Sequence, residues 1–113
     1  MKILHLTLKK QWFDLIASGT KTEEYREMKP YWHKRLNQHF DAICFKNGYS
    51  SSSPKVTVEL KEVLSGLGIV EWGAPEGQRV YILRLGNILP VQRETVSDAR
   101  SAADYMSVGG SDY

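Results

Sequence analysis

One stretch constrains the fold more than any other: Gly19-Thr20-Lys21-Thr22-Glu23-Glu24-Tyr25-Arg26. A helical pattern leads into it and a strand pattern fills it, so the chain must stop one element and start another within a few residues. Upstream, Trp12, Leu15, Ile16 and Gly19 fall at i, i+3, i+4 and i+7, one stripe of a helix over Lys9 to Ser18. Gly19 suits the position just past the helix end, where a left-handed backbone costs a glycine least. Downstream, a β-branched and an aromatic residue alternate with charges. Strict alternation places Thr22, Glu24 and Arg26 on one face and Lys21, Glu23 and Tyr25 on the other. Lys21 stands at the turn, where alternation need not hold, and it can fold toward Glu24 and Arg26.

The rest of the chain reads as short strands and one more helix. Ile3 to Leu8 has near-alternating apolar residues, with Leu4, Leu6 and Leu8 inward and His5 on a mixed face, solvent-facing or hydrogen-bonded. Pro30 opens a second helix, since its missing N–H is no loss in a first turn. Trp32, Leu36 and Tyr31 point inward there, and His33, Lys34 and Arg35 line an exposed side. Asp41 to Lys46 is a buried strand, with Cys44 a small buried hydrophobe. Asn47-Gly48-Tyr49 turns, and a serine loop follows to Pro54. Lys55 to Val63 alternates most clearly, with Val56, Val58 and Leu60 inward. The glycine-rich run from Ser65 to Gly77 reads as a long connection, the kind that is often functional in a small domain. Trp72 within it is a lid over a pocket or a plug on the core. Arg79 to Gly86 is the last strand.

Helices separate few of these strands, so a fully parallel sheet is disfavoured. The expected class is α+β: a small, mostly antiparallel β-barrel of about five strands with helices packed on it. Residues 1–94 make the domain. Residues 95–113 make a tail, with a short helix over Ser97 to Met106 and a frayed end.

Composition narrows the function classes. The chain has 113 residues, 42% hydrophobic and 25% charged, which suits one soluble domain. A single cysteine excludes an internal disulfide and a cysteine-cluster metal site. His5, His33 and His39 lack ligand spacing, so no metal and no cofactor is expected. No run approaches the roughly 20 apolar residues of a membrane span, and no signal-peptide pattern opens the chain, so a cytoplasmic protein without membrane contact is expected. The net charge of +2 falls short of an overtly basic nucleic-acid binder, so phosphate attraction must come from charge placement. Eight of the fifteen Lys and Arg residues lie between Lys2 and Arg35.

The run Leu6-Thr7-Leu8, then Trp12-Phe13-x-Leu15-Ile16, then Gly19-x-Lys21-x-x-Glu24-x-Arg26 resembles the opening of an ASCH domain, of the PUA-like superfamily. The likeness covers most of residues 2 to 90. It implies a PUA-like β-barrel with a cleft lined by the G-x-K-x-x-E-x-R stretch, and an association with RNA binding or modification. It also implies two enzymatic alternatives, a metal-independent ribonuclease or a nucleoside amidohydrolase. In the amidohydrolase subgroup the motif lysine works with a threonine three residues on and a glutamate elsewhere. Here Lys21 matches the lysine, but Glu24 holds the threonine position, and a carboxylate cannot play the hydroxyl's role. Glu59 and Glu71 are both open as the further glutamate.

The residues themselves suit nucleotide chemistry. Arg26 offers a planar fork for a phosphate or a base, and Lys21 an amine whose pKa falls on desolvation. Glu24 can orient both or serve as an acid or base. Tyr25 and Tyr49 offer stacking faces, and Lys46 and Trp72 complete the candidate ligand contacts. An ion-pair cluster that merely pins the turn is the plainer alternative. Three expectations follow. The chain binds single-stranded RNA or a nucleotide, or it is an enzyme with Lys21 and Glu24 as its acid–base pair, or it is a protein-interaction domain that uses the Trp72 loop.

Overall fold

The computed structural model describes residues 1–90. The expected tail helix and the end of the domain at residue 94 lie outside them. Five strands and two helices follow in the order β1 (Ile3–Thr7), α1 (Lys10–Ala17), β2 (Glu23–Arg26), α2 (Pro30–Arg35), β3 (Ala42–Lys46), β4 (Lys55–Leu67) and β5 (Arg79–Ile88), with a 3-10 turn at Val70–Trp72 between β4 and β5. No helix among the described residues is long and apolar enough to cross a membrane.

The strands form one curled sheet in the order β1-β3-β4-β5-β2. The α+β class stands, but the expected mostly antiparallel barrel is corrected in two respects. The sheet is mixed, because β1 and β3 run parallel from Ile3↔Ala42 to Thr7↔Lys46. A parallel neighbour needs a long crossover, and α1, β2 and α2 supply it. The sheet is also open, an incomplete barrel whose edges are β1 and β2. Two register shifts in β4, at Val58/Leu60 and Leu60/Glu62, bend the ladder with β5.

One main core lies on a single face of this sheet. Leu4 and Leu6 of β1, Ile43 and Phe45 of β3, Val58 of β4 and Leu83 and Leu85 of β5 meet Phe13, Ile16 and Trp32 from the two helices. Tyr25, Ala74, Val80 and Ile82, with Trp72 against them, make a smaller cluster. Neighbouring residues of a strand face opposite ways, so β2 feeds both. Glu24 and Arg26 stand opposite Leu83 and Tyr81, toward the main core, and Tyr25 stands opposite Ile82, toward the smaller one.

Several local expectations change in the fold. β4 runs on through Ser65, Gly66 and Leu67, where a connection was expected. The paired β5 strand recruits them: Ser65, Gly66 and Leu67 oppose Tyr81, Val80 and Arg79. His5 is buried rather than solvent-facing, and Arg35 is buried rather than lining an exposed side. The Arg35 guanidinium lies 5.5 Å from the centre of the Phe40 ring, as its long apolar stem allows. Cys44 is half-buried.

Candidate functional site

The helix stop that precedes β2 is built as a Schellman turn. Gly19 takes φ 85°, Gly19 N–H donates to Ile16 O at 3.0 Å, and Thr20 N–H donates to Leu15 O at 3.0 Å. Lys21 N–H also donates to Leu15 O, at 2.9 Å. Three consecutive amides thus tie the turn to the end of α1. They aim the Lys21 side chain inward, onto the Glu24 side of β2.

Lys21, Glu24 and Arg26 form one cluster with fully buried side chains. Lys21 Nζ lies 3.1 Å from Glu24 Oε1 and donates to the carbonyl oxygen of Trp72 at 2.7 Å. Arg26 Nη1 bonds Glu24 Oε2 and donates to Tyr25 O at 2.8 Å. One carboxylate therefore serves two cations. Aromatic faces complete the surroundings. Lys21 Nζ lies 4.7 Å from the Tyr25 ring centre and 5.4 Å from that of Trp12, and the Arg26 guanidinium lies 5.4 Å from that of Trp32.

The cluster leaves hydrogen-bonding capacity unused, on the acceptor Glu24 Oε1, which is ion-paired with Lys21 but not hydrogen-bonded, and on several donors. Arg26 Nε, Arg26 Nη2 and Trp32 Nε1 are buried with no hydrogen-bond acceptor among the described residues. A buried donor without an acceptor costs about 1–3 kcal/mol, more when charged, so native interiors seldom keep several together. Burial also acts on Lys21. Desolvation lowers the pKa of its amine, and the Glu24 carboxylate partly opposes that shift. Burial likewise raises the Tyr25 phenol.

The connection after β4 covers the Lys21 end. Ile69 N–H donates to Tyr25 Oη at 3.0 Å, and that hydroxyl donates to Glu23 Oε1 at 2.8 Å. Gly68 lets the backbone come this close, since a Cβ there would stand 2.6 Å from both Ala74 Cβ and Tyr25 Cε1. Trp72 is half-buried against the Tyr25 cluster, and its backbone carbonyl is what touches Lys21.

The structure therefore brings Lys21, Glu24 and Arg26 together, with Tyr25 and Trp72 beside them. Tyr25 is fully buried and turns its ring to Lys21 rather than to solvent. Lys46 is buried at the end of β3, and β4 and β5 stand between β3 and β2 in the sheet. Tyr49 is 60% exposed on the turn beyond β3. In the sequence Trp12 and Trp32 read as core residues only, and Tyr81 as an ordinary strand residue. Their place beside the cations follows from helix–sheet packing and from the Arg26↔Tyr81 register, which no local spacing encodes. A scan against family models and searches of curated proteins and of solved structures found no match to this chain.

Proposed function

We propose that the chain is a PUA-like domain of ASCH type that binds single-stranded RNA or a nucleotide at the Lys21–Glu24–Arg26 cluster. One observation carries the reading: three charged side chains are fully buried together while part of their hydrogen-bonding capacity is unused. A scaffold role accounts poorly for this, because apolar residues of similar volume usually serve stability as well as or better than a buried ion cluster. A nucleotide supplies the missing acceptors through its phosphate oxygens and base carbonyls.

Binding of a short single-stranded RNA and of nucleotides, measured at two salt concentrations, tests it. The affinity is expected to fall with salt, because phosphate contacts release counterions. Lys21→Met keeps most of the side-chain volume and should weaken binding by about ten-fold or more, the worth of one charge-assisted hydrogen bond. Salt-independent binding, or wild-type affinity in the Met variant of a protein that still folds, would place the ligand elsewhere.

The lowered pKa of Lys21 favours a second reading, a metal-independent ribonuclease or nucleoside hydrolase. An amine that sheds its proton more readily can act as base or nucleophile, with Glu24 beside it to carry a proton. Product analysis in the same binding mixtures decides. Cleaved RNA or hydrolysed acylated nucleoside that disappears in Lys21→Met would establish an enzyme, and intact substrate would leave a binding domain.

A further inference from the structure

The unused donors have a definite geometry. Arg26 spends Nη1 on Glu24 Oε2 and on the Tyr25 carbonyl, which leaves Nε and Nη2 without acceptors. These two N–H groups lie along one edge of the guanidinium, the edge that grips two oxygens of a planar or tetrahedral oxyanion at once. Trp32 packs its ring on the same guanidinium, and its indole N–H also lacks an acceptor. Glu24 is the carboxylate that contacts the cations, and it is shared between Lys21 and Arg26. Within the buried cluster two basic side chains share one carboxylate.

The neighbours of Arg26 lead toward an exposed side chain. Tyr81 stands directly opposite it in the β2–β5 ladder. The Tyr81 hydroxyl and His33 Nδ1 are 2.5 Å apart, and their rings meet edge to face at 5.4 Å. His33 follows Trp32 in α2 and is exposed, whereas Trp32 and Arg26 are wholly buried. This side-chain bond ties α2, the helix that carries Trp32, to β5, where Tyr81 stands opposite Arg26.

We propose that Arg26 Nε and Nη2 and the Trp32 indole N–H form a seat for an oxyanion, a phosphate or carboxylate group of the ligand, reached by parting His33 from Tyr81. The bearer of that anion rests on the nucleotide reading. The anion chemistry does not.

Three tryptophan indole N–H signals are expected in a proton–nitrogen spectrum, and Trp32→Phe identifies one by its loss. Inorganic phosphate, acetate, the four ribonucleoside 5′-monophosphates and their nucleosides are titrated in turn. The Trp32 signal should move downfield with at least one anion, and the larger response of phosphate or acetate tells which oxyanion the seat takes. A monophosphate should bind about ten-fold or more tightly than its nucleoside. Trp32→Phe, which keeps an aromatic ring under Arg26, and Arg26→Lys, which keeps the charge but not the fork, should both remove that preference. His33→Ala alters only an exposed side chain and should speed association. A Trp32 signal that no anion moves, or, where phosphate is the anion that moves it, equal affinity for monophosphate and nucleoside, overturns the seat while the nucleotide reading stands. A signal moved by phosphate in a protein that binds no nucleotide and no RNA supports the seat and removes the nucleotide reading. An unchanged association rate in His33→Ala overturns the way in.

Discussion

Adjacent positions of the β2–β5 ladder hold two ion-paired groups of opposite character. Glu24 faces Leu83 and is enclosed with Lys21 and Arg26, all with fully buried side chains. One residue on, Arg84 faces Glu23 on the other side of the sheet and bonds Glu62 at 2.5 Å, both side chains 44% exposed. Both set a carboxylate against a guanidinium, but the inner group adds the Lys21 amine and is shut off from solvent. Water screens the outer pair and demands little desolvation from it, so that pair contributes about 0–1 kcal/mol. The inner cluster gave up hydration for three charges. It persists only because each charge has a partner, and removing one partner of such a set costs about 3–5 kcal/mol. The inner group is the one whose presence stability does not explain.

The strongest way to break this comparison is Glu24→Gln. The change keeps shape and volume but leaves Lys21 and Arg26 buried as two cations with no counter-charge. A loss of about 3–5 kcal/mol in urea unfolding is expected. A loss below about 1 kcal/mol would mean that water reaches the cluster in solution, and the contrast with Glu62–Arg84 would collapse.

Lys21 sharpens the comparison through pH. Its folded pKa lies below the ordinary 10.5 because burial disfavours the charged amine. Between the lowered value and 10.5 the unfolded chain binds more protons than the folded one, so stability rises with pH across that window and levels off above it. The gain is about 1.4 kcal/mol for each unit by which the pKa is lowered. Tyr25 works in the opposite direction, since its raised phenol pKa makes the unfolded chain give up that proton first as pH passes 10.0. Lys21→Met keeps Tyr25, so the difference between wild type and variant isolates the lysine. Unfolding followed from pH 7 to 10.5 should show wild type gaining on the Met variant. A constant gap would show that the amine titrates as if exposed.

Parts of this site were legible in the residues. Gly19 marked the helix stop, and the turn it makes is what carries Lys21 out of strict alternation toward Glu24. Pro30 marked the start of α2 for the same local reason, a backbone preference that needs no tertiary partner. What stayed hidden depends on partners distant in sequence. Ser65-Gly66-Leu67 has the composition of a loop and became strand because β5 pairs with it. The parallel placement of β1 beside β3 is a choice of neighbour, which no local pattern encodes. The Trp72 carbonyl meets Lys21 across 51 residues, and a backbone acceptor leaves no trace in side-chain chemistry. Arg35 reads as a surface charge because residue type reports the head group and not the stem that packs.

The smallest expected effect tests the outer half of the comparison. Glu62 on β4 and Arg84 on β5 stand opposite one another in the ladder, so their coupling is a cross-strand side-chain interaction and not a register lock. A double-mutant cycle of Glu62→Ala and Arg84→Ala should give a coupling of about 0.2–1 kcal/mol at low ionic strength. Raising the salt to about 1 M shrinks the Debye length to about 3 Å and should remove most of it. The same salt should leave the cost of Glu24→Gln nearly unchanged, because mobile ions cannot enter a cluster from which water is excluded. A Glu62–Arg84 coupling above about 2 kcal/mol, or one that survives high salt, would show that the outer pair is rigid and partly desolvated. The division between a functional interior cluster and an incidental surface pair would then have to rest on chemistry other than burial.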